Sequence, residues 1–212
     1  MVRHRENIQQ RIFMKRIISI ITLVLVCTLS YAQTARQVLD KAAEIVSNKQ
    51  GVTAKFTISS ANIGTTNGSI SVKGNKFHAS TPVATIWFDG KTQWTYMKNN
   101  DEVNVSNPSE ADLQAINPYN FINLYRNGFN YTMTTKGGNY EVHLTATNKK
   151  RSVQEMYITV NKSTNVPTQV KMRQASGWTT IKISNFKATK LADSLFRFNA
   201  KEYPHAEVID LR

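Results

Sequence analysis

His78, His143 and His205 are the histidines beyond residue 32. Imidazole is the side chain most often used as a general base, proton shuttle or metal ligand. Metal binding from one element needs ligands at a fixed short spacing, as in His-x-x-x-His or paired cysteines. These three lie far apart without such a pair and read as positions on strand surfaces. Acyl transfer would show a G-x-S-x-G elbow, and nucleotide chemistry a G-x-G-x-x-G or phosphate loop; the sequence has none of them. Asp101-Glu102 sits in a polar turn, where adjacent acids are solvated, and the spacing of the other acids singles out no glycosidase pair. Asn104-Val-Ser106, Asn130-Tyr-Thr132 and Asn161-Lys-Ser163 fit the glycosylation triplet, a pattern that commonly arises by accident. With no catalytic constellation, the chain reads as a carrier or binding module needing no cofactor or metal, and not as an enzyme.

The bulky apolar residues carry more information. Ile86-Trp87-Phe88-Asp89-Gly90-Lys91-Thr92-Gln93-Trp94-Thr95-Tyr96 places two aromatic, β-favouring runs around Asp-Gly. That is a hairpin signature, with Asp89-Gly90 expected to form a tight type I′ turn. Large rings fall on both faces of the arms, so something must cover them.

The beginning of the chain has an address. Met14-Lys15-Arg16, the apolar run Ile17 to Leu29 and Ser30-Tyr31-Ala32 have the layout of a secretory signal peptide, with cleavage expected after Ala32 and residues 1–13 as upstream extension. The run is shorter than the ~20 residues of a membrane span. Cys27 is the only cysteine; lipid attachment would want a small residue before it, and Val26 stands there, so it reads as part of the apolar run. Residues 33–212 then form one domain without disulfides, held by its core. The whole chain carries a net charge of +13. A positive exported protein suits anionic membrane surfaces or an acidic partner, or is simply soluble; no long Lys/Arg run points to nucleic acid.

The elements follow from periodicity. Thr34-Ala-Arg-Gln37 has capping-box form, and Ala35, Val38, Leu39, Ala42, Ile45 and Val46 recur at helical spacing up to Gly51, an amphipathic helix of about four turns. From Val52 the period becomes two, with a bend expected near Asn67-Gly68 and turns at Gly74-Asn75, Lys98–Asp101, Lys136–Asn139, Asn148–Arg151, Asn161–Asn165 and Ser176-Gly177. Two short helices interrupt the pattern, one from Ser109 through Ile116 and one opened by Asn117-Pro118 and stopped by Gly128. The remainder is an antiparallel meander of about eleven strands, which must curl or split. Met133, Met156 and Met172 lie among small or polar groups, as core filling or as an adaptable binding surface.

In order along the chain, Ala54-Lys-Phe56-Thr, Gly68-Ser-Ile-Ser-Val-Lys73 leading to Phe77, Phe88-Asp-Gly-Lys-Thr-Gln-Trp94-Thr-Tyr96, Asn117-Pro-Tyr119, Asp193-Ser-Leu-Phe-Arg-Phe198 and Val208-Ile-Asp210 resemble a divergent member of the periplasmic outer-membrane lipoprotein carrier family, LolA. The hairpin is the most specific of these motifs. The resemblance covers nearly all of residues 33–212. It implies an α+β fold, an unclosed antiparallel β-barrel with the N-terminal helix and short central helices as a lid over a hydrophobic cavity. It also implies a monomeric carrier of acylated lipoproteins. Such a carrier takes cargo from an inner-membrane lipoprotein-releasing ABC transporter complex to an outer-membrane acceptor. Phe56, Ile58, Ile70, Val72, Phe77, Trp94, Tyr96, Met133 and Met172 would then line the cavity, with Phe121, Ile122 and Leu124 from the lid; the same residues also read as ordinary core. Typical members have an arginine just after the Val-Lys that ends this strand, tying barrel to lid. Gly74 stands there, with Lys73 and Lys76 as the nearby cations. A lipid- or lipoprotein-sensing module on the same scaffold is the second reading, and an exported hydrolase on an open barrel the third.

Overall fold

The computed structural model describes residues 33–62, 64–109 and 124–212. The expected signal peptide, most of both expected central helices, and Phe121 and Ile122 lie outside the described residues.

Helix α1 (Ala35–Val46) opens with the expected capping box: Gln37 N–H donates to Thr34 Oγ1 (3.2 Å) and Thr34 N–H to Gln37 Oε1 (2.9 Å). It is one turn shorter than expected. The Ser47 hydroxyl donates back to the Ala43 carbonyl (2.7 Å) and ends the helix before Gly51 is reached. Val38, Leu39, Ala42 and Ala43 are buried along one side.

Among the described residues twelve strands form one sheet: β1 (Val52–Ser60), β2 (Gly64–Lys73), β3 (Lys76–Ser80), β4 (Ala84–Phe88), β5 (Gln93–Met97), β6 (Glu102–Ser106), β7 (Phe129–Lys136), β8 (Asn139–Ala146), β9 (Glu155–Asn161), β10 (Pro167–Gln174), β11 (Gly177–Ala188) and β12 (Glu207–Asp210). Their spatial order is β12-β6-β5-β4-β3-β2-β1-β11-β10-β9-β8-β7. Two meanders, β1–β6 and β7–β11, therefore meet at the long antiparallel pair β1·β11. β7 and β12 stand at opposite ends of the order and do not pair, so the sheet is open.

The twelfth strand exceeds the expected count. β12 pairs parallel to β6, Val208 beside Val103, and parallel pairing leaves no local turn to read. Two other expectations are corrected. The bend placed at Asn67-Gly68 falls before Gly64, and Gly68 lies inside β2 opposite Phe56. The hairpin is present, but its reversal spans Asp89–Thr92 and is not a two-residue type I′ turn. Gly90 alone in that loop has positive φ (100°), and Asp89 Oδ1 accepts from the N–H groups of Lys91 (3.0 Å) and Thr92 (2.9 Å). The carboxylate shapes the loop as an Asx turn.

The strand registers place the core. Phe56, Ile58, Ile70, Val72, Phe77, Ala79, Ile86 and Phe88 alternate onto the same face as Ile181, Val170, Met172, Met156, Ile158, Val142, Leu144 and Met133. α1 packs on this inner face over the β7–β11 half. A smaller cluster of Val52, Val72, Phe77, Ala79 and Phe88 continues it toward β4.

Candidate functional site

The inner face is an apolar band that changes character across the sheet. From β7 to β4 it is almost wholly hydrocarbon and aromatic. At β5 and β6 the same face presents Gln93, Thr95, Asn104 and Glu102, by the register Phe88 to Gln93, Ile86 to Thr95 and Thr95 to Asn104. Gln93 Nε2 donates to Thr95 Oγ1 (3.2 Å), and Asn104 Nδ2 to Glu102 Oε1 (2.6 Å). The band thus has an oily body and a polar end, the division that an amphipathic guest requires.

The expected lining residues separate into three groups. Phe56, Val72, Phe77 and Met172 are on the inner face and buried. Ile58, Ile70, Met133 and Leu124 are packed against the main cluster but remain half-buried, as do Tyr131 and Ile183. Trp94 and Tyr96 lie on the opposite, outer face: Trp94 pairs with Trp87 and Tyr96 with Thr85, while Gln93 and Thr95 point inward. The structure does not bring these two rings to the others.

α1 is attached to the inner face mainly by apolar contact. Among the described residues its one side-chain hydrogen bond to another element comes from Tyr125, whose hydroxyl donates to Asp40. Tyr125 is fully buried. Burial first, then the hydrogen bond to Asp40, pushes its phenol up to about 12. The ring is therefore neutral and donating at any ordinary pH.

A strap running from Lys190 to Tyr203 covers the outer aromatic rings. Phe198 and Tyr203 each stand 5.6 Å from Trp87, and Tyr203 lies 4.7 Å from Tyr96, between ring centroids. Phe196 is fully buried. Polar ties hold the strap. Lys73 Nζ donates to the Leu191 carbonyl (2.9 Å), Lys73 and Lys76 reach Asp193 Oδ1 at 3.2 and 3.0 Å, and Arg197 pairs with Asp89 at 3.1 Å. The two cations nearest the position of the family arginine are thus committed to the strap. Gly74 occupies the β2–β3 turn with φ of 60°, a left-handed conformation that strains an arginine. Asp101, expected to be solvated, accepts from the Tyr96 hydroxyl (2.7 Å).

His143 bonds Glu155 (2.9 Å) and stacks on Tyr157 (4.3 Å, 3°) on the outer face. Burial would raise the Glu155 carboxyl, but hydrogen bonds from Tyr157 and His143 and the charge of Arg173 hold it below the usual range. Among the described residues no three His, Cys, Asp or Glu side chains gather as metal ligands.

The described residues thus form an open sheet with an apolar inner face and one helix laid on it. The model of the family described as outer membrane lipoprotein carrier protein LolA matches residues 26–176, and the chain belongs to that family. No curated protein matches the sequence. Among solved structures, the chain is similar to an uncharacterized conserved protein from Thermus thermophilus at 11% identity, with 83% of this chain and 98% of that one covered and a TM-score of 0.58. A LolA superfamily protein from Nitrosomonas europaea matches at 15% identity over 79% of this chain and 99% of that one, with a TM-score of 0.42. A putative outer membrane lipoprotein-sorting protein domain from Vibrio parahaemolyticus matches at 15% identity over 75% and 97%, with a TM-score of 0.41.

Proposed function

We propose that the chain is a periplasmic carrier that shelters the acyl chains of lipoproteins on its inner face. It receives them from an inner-membrane ABC transporter complex and passes them to an outer-membrane acceptor. The observation that carries this reading is the half-covered part of the apolar band. Ile58, Ile70, Ile183, Tyr131 and Met133 face inward beside α1 without being fully buried by it. Each methylene removed from water is worth ~0.8 kcal/mol, so even partial burial of an acyl chain there is strongly favourable. The signal-peptide pattern of residues 14–32 supports export as one domain spanning residues 33–212.

Release requires that holding be weak. α1 presses Val38, Leu39, Ala42 and Ala43 on the same surface. Closing the helix on the sheet and filling the sheet with lipid are competing uses of one apolar area, so the empty state offsets much of the binding energy. Phe56, Val72, Phe77 and Met172 are buried and become lining as the helix shifts. The polar end at Gln93, Thr95 and Asn104 suits the head of the lipid or the peptide attached to it.

The test is titration of the purified protein with a fluorescent fatty-acyl probe. Saturable uptake is expected, and absence of uptake rejects lipid binding on this face. Copurification with a triacylated lipoprotein released from inner membranes is expected of a carrier; a sensor that binds lipid without extracting cargo fails it.

A further inference from the structure

The outer face of the sheet is covered unevenly. Over β4 and β5 the strap lays Phe198 and Tyr203 against Trp87 and Tyr96. Over β9 to β11 it supplies no ring among the described residues. Tyr157 and Trp178 are half-buried there, 6.0 Å apart between centroids. Their other contacts come from the same face: His143 stacks on Tyr157, and the Lys171 ammonium lies 4.5 Å from the Trp178 centroid.

This face is also strongly cationic. β1, β10 and β11 together hold Lys55, Lys171, Arg173, Lys182 and Lys187, and no aspartate or glutamate. The register turns all of these cations outward, opposite to Phe56, Ile181, Ile183 and Val170. Lys171 is paired with Thr180 and Lys182 with Gln169; on the other side Lys182 is paired with Thr57, and Ser184 with Lys55. Lys171, Lys182 and Lys55 are therefore diagonal neighbours, about 7–8 Å apart at each step. Lys187, paired with Thr53, continues the row past the irregularity in β1·β11.

Among the described residues Lys55, Lys182 and Lys187 are exposed and have neither a carboxylate nor a hydrogen-bond partner. The adjoining strands β8 and β9 bring Glu141 and Glu155 to the same face. Glu155 is taken up by Arg173 (3.0 Å), His143 (2.9 Å) and the Tyr157 hydroxyl (3.0 Å). Glu141 lies three strands from Lys182, through Thr159 and Gln169, about 14 Å away at the spacing of paired strands. That exceeds the screening length in physiological salt. Like charges in such a row repel one another unless counter-charge arrives from outside.

We infer that this face docks on an anionic lipid bilayer, with the lysine row against the headgroups and the Trp178 and Tyr157 rings at their apolar boundary. Lysines and amphipathic aromatic rings are the side chains that suit that boundary. A small anion would need its cations gathered at one point. A lipid surface presents anions over its whole area, and so matches a row spread across three adjacent strands. The inference does not rest on the carrier reading, because the surface assigned to acyl chains is on the other side of the sheet.

The test is cosedimentation of the protein, purified after export, with vesicles of phosphatidylcholine alone or with about one-third phosphatidylglycerol. Binding to the anionic vesicles is expected, with little to the neutral ones, and with release in about 1 M salt, where screening leaves a reach of about 3 Å. Each lysine at an anionic surface strengthens binding by about fivefold, so Lys55→Gln, Lys182→Gln and Lys187→Gln combined should weaken it roughly hundredfold. Lys41→Gln, Lys91→Gln and Lys201→Gln combined remove the same charge from exposed lysines off the row, and should weaken it by less than about fivefold. Anionic vesicles with brominated acyl chains should quench part of the tryptophan emission, and Trp178→Phe should abolish that quenching. Ile70→Asn, on the inner face and folded by circular dichroism, should bind the anionic vesicles as the wild type does. No preference for the anionic vesicles would overturn the inference and leave the row to an acidic protein. Equal losses in the two lysine triples, quenching that survives Trp178→Phe, or lost binding in Ile70→Asn would each overturn it as well. Acyl-probe uptake is read without vesicles and stands or falls separately.

Discussion

Arg197 and Asp89, 108 residues apart in sequence, meet with Nε and Nη2 both 3.1 Å from one carboxylate oxygen. This pair fastens the strap to the β4–β5 loop, while the other carboxylate oxygen shapes that loop. The two partners are not equal. The Arg197 side chain is 69% exposed and that of Asp89 only 14%. An exposed ion pair is worth ~0–1 kcal/mol, whereas Asp89 also satisfies two backbone N–H groups.

Arg197→Ala is therefore expected to cost less than about 1 kcal/mol in urea unfolding, and Asp89→Ala ~2–3 kcal/mol. Burial would raise the Asp89 carboxyl, but the Thr92 and Lys91 amides and Arg197 outweigh it and hold it low. A depressed folded-state value means that the stabilisation is complete above the ordinary carboxylate range. It is lost as pH falls through the folded value. The gap between wild type and Asp89→Ala should accordingly close in acid; a gap that persists unchanged in strong acid contradicts this role.

Tyr125 makes the opposite prediction with pH. Its phenol titrates at about 12 in the folded chain against 10.0 ordinarily. The unfolded chain ionises first, so stability is intact below pH 10.0 and declines as pH rises toward about 12. Tyr125→Phe is expected to remove this alkaline component and to cost ~1 kcal/mol at neutral pH. Since the bond ties α1 to the turn that leads into β7 and so helps keep the helix on the inner face, the same variant should bind the acyl probe more tightly, by up to about tenfold. Unchanged or weaker uptake would show that α1 is not what an acyl chain displaces.

Gly68 is inside a strand for a packing reason. A Cβ there would lie 2.3 Å from the Phe56 ring and 2.6 Å from the Ser80 carbonyl. The ring folds over the glycine from the neighbouring strand, filling space that a side chain would take. Gly68→Ala is expected to lower stability by ~1–3 kcal/mol, the range for overpacking. Phe56→Leu in the same chain should recover only part of it, because the Ser80 backbone cannot yield.

What the sequence made legible was local. Alternation from Val52 onward assigned Phe56, Ile58, Ile70, Val72 and Phe77 to one face correctly, since strand period and short turns carry that information along the chain. The capping box of α1 was readable in four residues. The family motifs led to the open barrel, and the family match and strand order agree with it. The faces of Trp94 and Tyr96 were not readable by size and hydrophobicity. Those measures draw large rings inward, but here Phe198 and Tyr203 supply a second apolar cover on the outside. That cover comes from a stretch with neither period, 191–203, roughly a hundred residues further along the chain. The β1·β11 seam and the parallel β12 are likewise long-range pairings with no turn between the partners.

The two faces of the sheet around the β4–β5 hairpin give the sharpest separation. Ile70 lies on the inner face beside Phe77 and Ala79, half-covered, where an acyl chain would be in contact with it. Trp94 lies on the outer face beside Trp87 and Val105, where the sheet itself stands between it and the guest. Ile70→Asn places an amide where hydrocarbon must sit, at a cost of ~1–3 kcal/mol to any apolar guest. It should weaken acyl-probe uptake roughly tenfold or more. Trp94→Gln removes a larger apolar surface but should leave uptake within about twofold, provided circular dichroism shows each variant folded. Met133→Asn, from the far half of the inner face, should behave like Ile70→Asn. Equal losses in the Trp94 and Ile70 variants would mean that the guest does not distinguish the faces, and the inner band would no longer be its site.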